Sequence, residues 1–115
     1  MTEPSIFTRI LSGEIPSEII AQTDNVFVIR DIAPKAAVHL LVIPKTPLYR
    51  DVVELAAGDP ALLAEVVSVA KKAAAEHAGG DFRLVFNTGP HAGQTIYHVH
   101  AHVLAGALDE ASLGA

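Results

Sequence analysis

The run His98-Val99-His100-Ala101-His102 constrains the fold more than any other stretch of the chain. In an extended strand successive side chains point to opposite faces, so residues two apart share a face. His98, His100 and His102 are therefore expected on one face, about 6.6 Å apart, with Val99, Ala101 and Val103 turned to the core. A lone strand histidine is ordinarily a structural or surface residue. Three in strict alternation, following a glycine-bearing loop, are hard to account for by packing.

The rest of the chain limits what such a strand can join. Pro60 to Ala78 reads as the one long helix, with Asp59 to cap it, Pro60 in its first turn and Gly79-Gly80 at its end. Leu62, Val66, Val69 and Ala73 form one apolar stripe, and Leu63, Val67, Ala70 and Ala74 a second beside it. A helix on a single sheet needs one stripe of about 100°. Two stripes imply a sheet on one side and, on the other, either a partner surface or further burial. A short helix is expected from its cap Ser5 to Leu11, stopped by Gly13 and barred from continuing by Pro16. Strands are expected at Ile19 to Gln22, Val26 to Arg30, His39 to Ile43, Phe82 to Phe86 and Ile96 to Leu104, with loops at 33–35 and 87–95. Connections this short leave no room for repeated crossover helices. The expected class is α+β: an antiparallel sheet with one short N-terminal helix and one long helix.

Length and composition bound the function. The 115 residues suit one domain spanning 1–115, with 1–4 and 108–115 expected as flexible tails. The chain has no cysteine, which excludes a disulfide framework, a thiolate zinc site and a cysteine nucleophile. The formal net charge is −5 and the eight Lys and Arg residues are scattered. Nucleic-acid binding by counterion release needs clustered positive charge, so no nucleic-acid partner is expected, although a single nucleotide needs only a local site. No stretch has the length of a signal peptide's apolar core or of a membrane span. The expectation is a soluble cytoplasmic protein with no membrane partner.

Two chemistries fit the histidine row. Neutral imidazoles can ligate zinc or a similar metal, with His39 as a further ligand. Alternatively one imidazole attacks phosphorus while its neighbours bind phosphate oxygens, since an ordinary pKa near 6.5 leaves a neutral nucleophilic nitrogen at pH 7. The loop Asn87-Thr88-Gly89-Pro90-His91-Ala92-Gly93-Gln94-Thr95 favours phosphate, because its glycines let backbone amides approach an anion and Gln94 and Thr95 add neutral donors. The nearest acids in sequence, Asp81 and Asp109, lie outside the motif, which disfavours a metal. His77, near a helix end, suits the helix dipole. His91 has no assigned role.

His98-Val99-His100-Ala101-His102-Val103-Leu104 resembles the signature of the histidine triad (HIT) family. SIFTRILSGEIPSEII, FVIRDIAPKAAVHLLVIPK, the long helix and FRLVFNTGPHAGQTIYHVHAHVLAG resemble that family's Hint branch in order and spacing over residues 5 to 106. The resemblance implies a HIT-like fold, a homodimer joined through the long helix and the sheet edge, and a purine nucleotide substrate. It implies a nucleoside 5′-phosphoramidase in which His100 is the nucleophile and no metal or cofactor takes part. His102 would bind phosphate, His98 would orient the row, and His39 would stabilise charge on His98. Asp31 would bind ribose hydroxyls, Ile32 would lie against the base, and Asn87, Gly93, Gln94 and Thr95 would line the phosphate pocket. Two departures stand out. Where many Hint proteins carry cysteines that help hold a structural zinc, this chain has Ser5-Ile6-Phe7-Thr8, and the tail from Leu108 to Ala115 does not match that of the animal proteins. The rival readings are a dinucleoside polyphosphate hydrolase of the Fhit type, a nucleotide-binding regulatory protein with incidental turnover, and a metal carrier.

Overall fold

The structure, a computed structural model, describes residues 4–109. The expected tails at 1–4 and 108–115 therefore lie largely outside the described residues. In chain order the elements are helix α1 (Ile6–Leu11), strands β1 (Ile19–Gln22), β2 (Val26–Arg30) and β3 (Val38–Pro44), helices α2 (Val52–Gly58) and α3 (Pro60–His77), strand β4 (Arg83–Val85), a 3-10 turn at Pro90–Ala92, and strand β5 (Ala101–Ala105). The strands form one antiparallel sheet in the order β1-β2-β3-β5-β4. The fold is α+β, as the short connections require.

The sheet's two faces build two cores. Val26 and Val28 of β2, Leu40 and Val42 of β3, and Ala101 and Val103 of β5 pack with Val99 against Leu62, Val66, Ala70, Ala73 and Ala74 of α3. On the opposite face Phe27 and Ile29 of β2 and Leu41 and Ile43 of β3 pack against Phe7 and Ile10 of α1. Each fully buried aliphatic side chain contributes roughly 1.5–3 kcal/mol, so both faces are held, and the imidazole face is the one α1 partly covers.

Three expectations change. Helix α2 was not foreseen. It is started by Asp51, whose carboxylate accepts the Glu54 N–H at 2.9 Å, while Glu54 accepts the Arg50 backbone N–H at 2.9 Å and its guanidinium. Strand β5 begins at Ala101, not at Ile96. Its last pair with β3 is Val42↔Ala101; beyond it β3 reaches Pro44, which has no N–H to extend the ladder, and the Val99 N–H bonds instead to the Tyr49 carbonyl at 2.9 Å. Alternation nevertheless survives, since Val99 still joins the α3 core. Lastly, α3 buries one side only. Its inner residues come from both expected stripes, while Leu63 is half-buried and Val67 is 42% exposed. No helix among the described residues is long and apolar enough to cross a membrane.

Candidate active site

Four histidines gather on the α1 side of the sheet. His39 and Leu104 are register partners across β3 and β5, as are Leu41 and His102. His100 and His102 have ring centroids 5.1 Å apart, and the Phe7 ring lies 4.9 Å from His100 and 5.6 Å from His98. The row is thus continuous although only His102 sits in the ladder.

Each ring's fixed contacts define where its proton resides. Nδ1 of His100 lies 2.9 Å from the carbonyl of His98. A carbonyl only accepts, so that nitrogen carries hydrogen and the lone pair of neutral His100 is on Nε2. In the same way Nε2 of His98 donates to the Pro44 carbonyl at 2.7 Å, leaving its Nδ1 to accept at 2.6 Å from Ser5 Oγ. The Lys35 backbone N–H donates to Nδ1 of His39 at 3.0 Å, so His39 carries its proton on Nε2. That proton is donated to Nδ1 of His102 at 2.9 Å. His102 in turn keeps its own proton on Nε2, which bonds no described residue.

Burial holds these rings neutral. Removal from water lowers the pKa of His39, His98 and His100, and carries His102 down to about 4 with added repulsion from His100 and His39. For His100 the bond to the His98 carbonyl and the nearby Asp31 charge oppose the shift without cancelling it. The geometry therefore presents a neutral, oriented imidazole with a free Nε2.

The flanking residues divide into three groups. Asp31, Lys35, His39, Asn87, Gly93 and His102 line one cleft of about 330 Å³. Gly93 takes the left-handed conformation at φ +91°, and a Cβ there would come within 4.0 Å of the Asn87 amide nitrogen. Thr95 lines a second, larger groove of about 890 Å³ beside Ser5, Leu48, Tyr97 and His98. Ile32 is 96% exposed, in the bend that follows β2.

Gln94 belongs to neither wall. Its amide donates to the Arg50 and Ile96 carbonyls at 2.6 and 3.0 Å, and its Oε1 accepts the Gly89 N–H at 2.9 Å. The expectation that it offers donors to phosphate fails, because both N–H groups are engaged in bracing the loop. The amides of Ala92, Gly93 and Gln94 are also bonded inside the loop, each at 3.1 Å, so the expected cradle of free amides does not form there. His39 departs from expectation as well: it meets His102, not His98. Finally, an acid does stand within the histidine cluster. Asp31 Oδ2 is 3.4 Å from His39 Nε2, and Asp31, His39 and His102 bring ligand atoms within 4.8 Å of one another. An ion there would have to displace the proton shared by the two imidazoles. Sequence reasoning missed Ser5 as a site residue; His98 stands 93 positions away, and only the fold joins them.

A neutral imidazole with a free nitrogen, next in the row to a histidine that lines a cleft, can serve as a nucleophile or as a base. Residues 4–114 match the family model described as scavenger mRNA decapping enzyme C-term binding. The chain is 43% identical over 107 residues to a HIT-like protein of Synechococcus elongatus, covering 92% of this chain and 93% of that one. It is 41% identical over 108 residues to the purine nucleoside phosphoramidase of Escherichia coli K12, covering 92% and 90%. Among solved structures, a HIT family hydrolase from Clostridium thermocellum superposes with TM-score 0.85 at 36% identity over 96% of both chains. A histidine triad protein from Clostridium difficile gives 0.84 at 32% identity over 95% and 96%. The chain belongs to the histidine triad family.

Proposed function

We propose that the chain hydrolyses nucleoside 5′-phosphoramidates, purine ones among them, through a nucleotidyl-histidine intermediate. The observation that carries this reading is the bond from His100 Nδ1 to the His98 carbonyl, which leaves Nε2 as a directed nucleophile. That nitrogen bonds phosphorus, and the P–N bond of the substrate breaks as the amine takes a proton from solvent. Water then attacks phosphorus, giving up a proton to solvent as it releases the nucleoside monophosphate and restores neutral His100. His102, with its free Nε2–H, hydrogen-bonds the phosphate, and Asn87 and Gly93 complete the cleft around it. Asp31 receives the ribose hydroxyls and the exposed Ile32 meets the base. Thr95, exposed in the neighbouring groove, donates to the phosphate or the leaving group. The Escherichia coli relative carries the name of the same activity.

The test is turnover of adenosine phosphoramidate and of a diadenosine polyphosphate, each with and without a chelator. Preferential cleavage of the phosphoramidate, indifferent to chelator, is expected. Preference for the polyphosphate establishes the Fhit-type alternative, and loss on chelation restored by zinc establishes a metal mechanism. Nucleotide binding without turnover leaves the regulatory reading. His100→Ala should lower kcat by several orders of magnitude while retaining nucleotide binding. Residual activity above about a tenth of wild type overturns the nucleophile assignment.

We also propose a homodimer. The proposal follows the family resemblance, and the outer side of α3, with Val67 exposed and Leu63 half-buried, is where it is tested.

A further inference from the structure

His98 sits where the sheet no longer holds it. The β3–β5 ladder ends at Val42↔Ala101, so the peptide that offers its carbonyl to His100 is fixed by other means. Its ring, fully buried, is pinned at both nitrogens, by the Pro44 carbonyl at 2.7 Å and by Ser5 Oγ at 2.6 Å. Ser5 is also the cap of α1, accepting the Thr8 N–H at 3.2 Å. A hydroxyl has one proton and two lone pairs, so it can accept from Thr8 and donate to His98 together. The Thr8 hydroxyl at 3.3 Å then donates to Ser5.

We propose that Ser5 is a positioning residue for the reaction: its hydroxyl locks the ring of His98, and through it the carbonyl that orients His100. The inference rests on the reading of His100 as nucleophile. Because the Pro44 carbonyl requires a proton on Nε2, neutral His98 needs a donor at Nδ1, and among the described residues Ser5 supplies it. The ring otherwise faces the Phe7 edge and His100, neither of which donates to Nδ1. The same hydroxyl ties the first turn of α1 to the catalytic segment, so helix start and nucleophile are set by one atom.

Three variants separate capping from positioning. Ser5→Asp keeps an N-cap acceptor but has no proton to donate at neutral pH; Ser5→Thr keeps both functions; Ser5→Ala keeps neither. For Ser5→Asp we expect a melting temperature close to wild type, kcat reduced roughly ten- to hundred-fold, as a misplacement of about 1 Å can do, and KM changed little. Ser5→Thr should restore kcat to near wild type. Imidazole 15N spectra provide a readout independent of turnover: wild-type His98 as the neutral Nε2–H form, and His98 in Ser5→Asp shifted toward the imidazolium. The proposal is overturned if Ser5→Asp and Ser5→Ala both retain kcat within about twofold while His100→Ala is inactive. It is equally overturned if the His98 15N signals are unchanged in both variants. Should wild type itself turn over no phosphoramidate, the proposed activity fails and the spectra alone decide whether Ser5 holds His98.

Discussion

At Asp31 the two carboxylate oxygens face different tasks. Oδ1 accepts the Ala33 N–H at 2.7 Å and closes a turn, while Oδ2 lies 3.4 Å from His39 Nε2 at the cleft. The turn and the site therefore use one side chain without conflict. Asp31→Asn keeps the shape and can keep the turn, but it removes the charge and turns one acceptor into a donor. Ribonucleotide binding should weaken by about 1.5–3 kcal/mol, the worth of a hydrogen bond to a charged group. The loss should nearly vanish with a 2′,3′-dideoxy nucleotide, and calorimetric titration of both ligands checks it; equal discrimination by the two proteins removes the ribose role. At this scale alternation announced that His98, His100 and His102 share a face, because period two is a local property. It did not announce their partners. His39 and His102 are 63 positions apart, and their pairing follows from β3–β5 register, which no local pattern specifies.

Helices and strands were legible where their signals are self-contained. Ser5, Asp59 and the glycines after α3 mark ends that the structure keeps within a residue or so. Helix α2 had its signal too, an Asp51-x-x-Glu54 capping pattern, in a stretch whose prolines upstream suggested only a loop. The length of β5 was misjudged for another reason: alternation reports which way side chains point, while a strand needs a paired neighbour, and Pro44 ends the pairing. The loop before β5 depends on Gln94, which the motif presented as a ligand residue and the fold uses as a brace. Gln94→Ala leaves the Gly89 amide and the Arg50 and Ile96 carbonyls without these partners. It should cost about 2 kcal/mol or more, read as a lowered urea midpoint. A midpoint within error of wild type means the loop holds by its glycines and 3-10 turn alone.

Across the molecule, four imidazoles share depressed pKa values, with His102 at about 4. A histidine held neutral binds fewer protons folded than unfolded between its folded pKa and the ordinary 6.5. Its stabilisation is complete above pH 6.5 and falls as pH drops through that value, by up to about 1.4 kcal/mol per pH unit for each group. The unfolding midpoint should therefore decline from pH 7 to pH 5; a flat or rising profile contradicts neutral burial. Val67 offers a second test at this scale. If α3 lies in a dimer interface, Val67→Glu should convert a dimer to a monomer in sedimentation with the fold intact, and a wild-type monomer removes the proposal. The α+β class was legible because one helical window and several short strands leave few arrangements. The division of the sheet into an α3 core and a histidine face was legible from period two alone. What meets the outer side of α3 was not, since apolar residues on a helix signal burial without naming what buries them.

The carbonyl of His98 also decides an isomer. Imidazole can bear phosphorus on either nitrogen, giving the π or the τ adduct. With Nδ1 bonded to that carbonyl, only Nε2 of His100 is open. A nucleotidylated form of this chain should therefore be the τ isomer alone. In the free amino acid both nitrogens compete; here a single peptide oxygen occupies one and leaves the other.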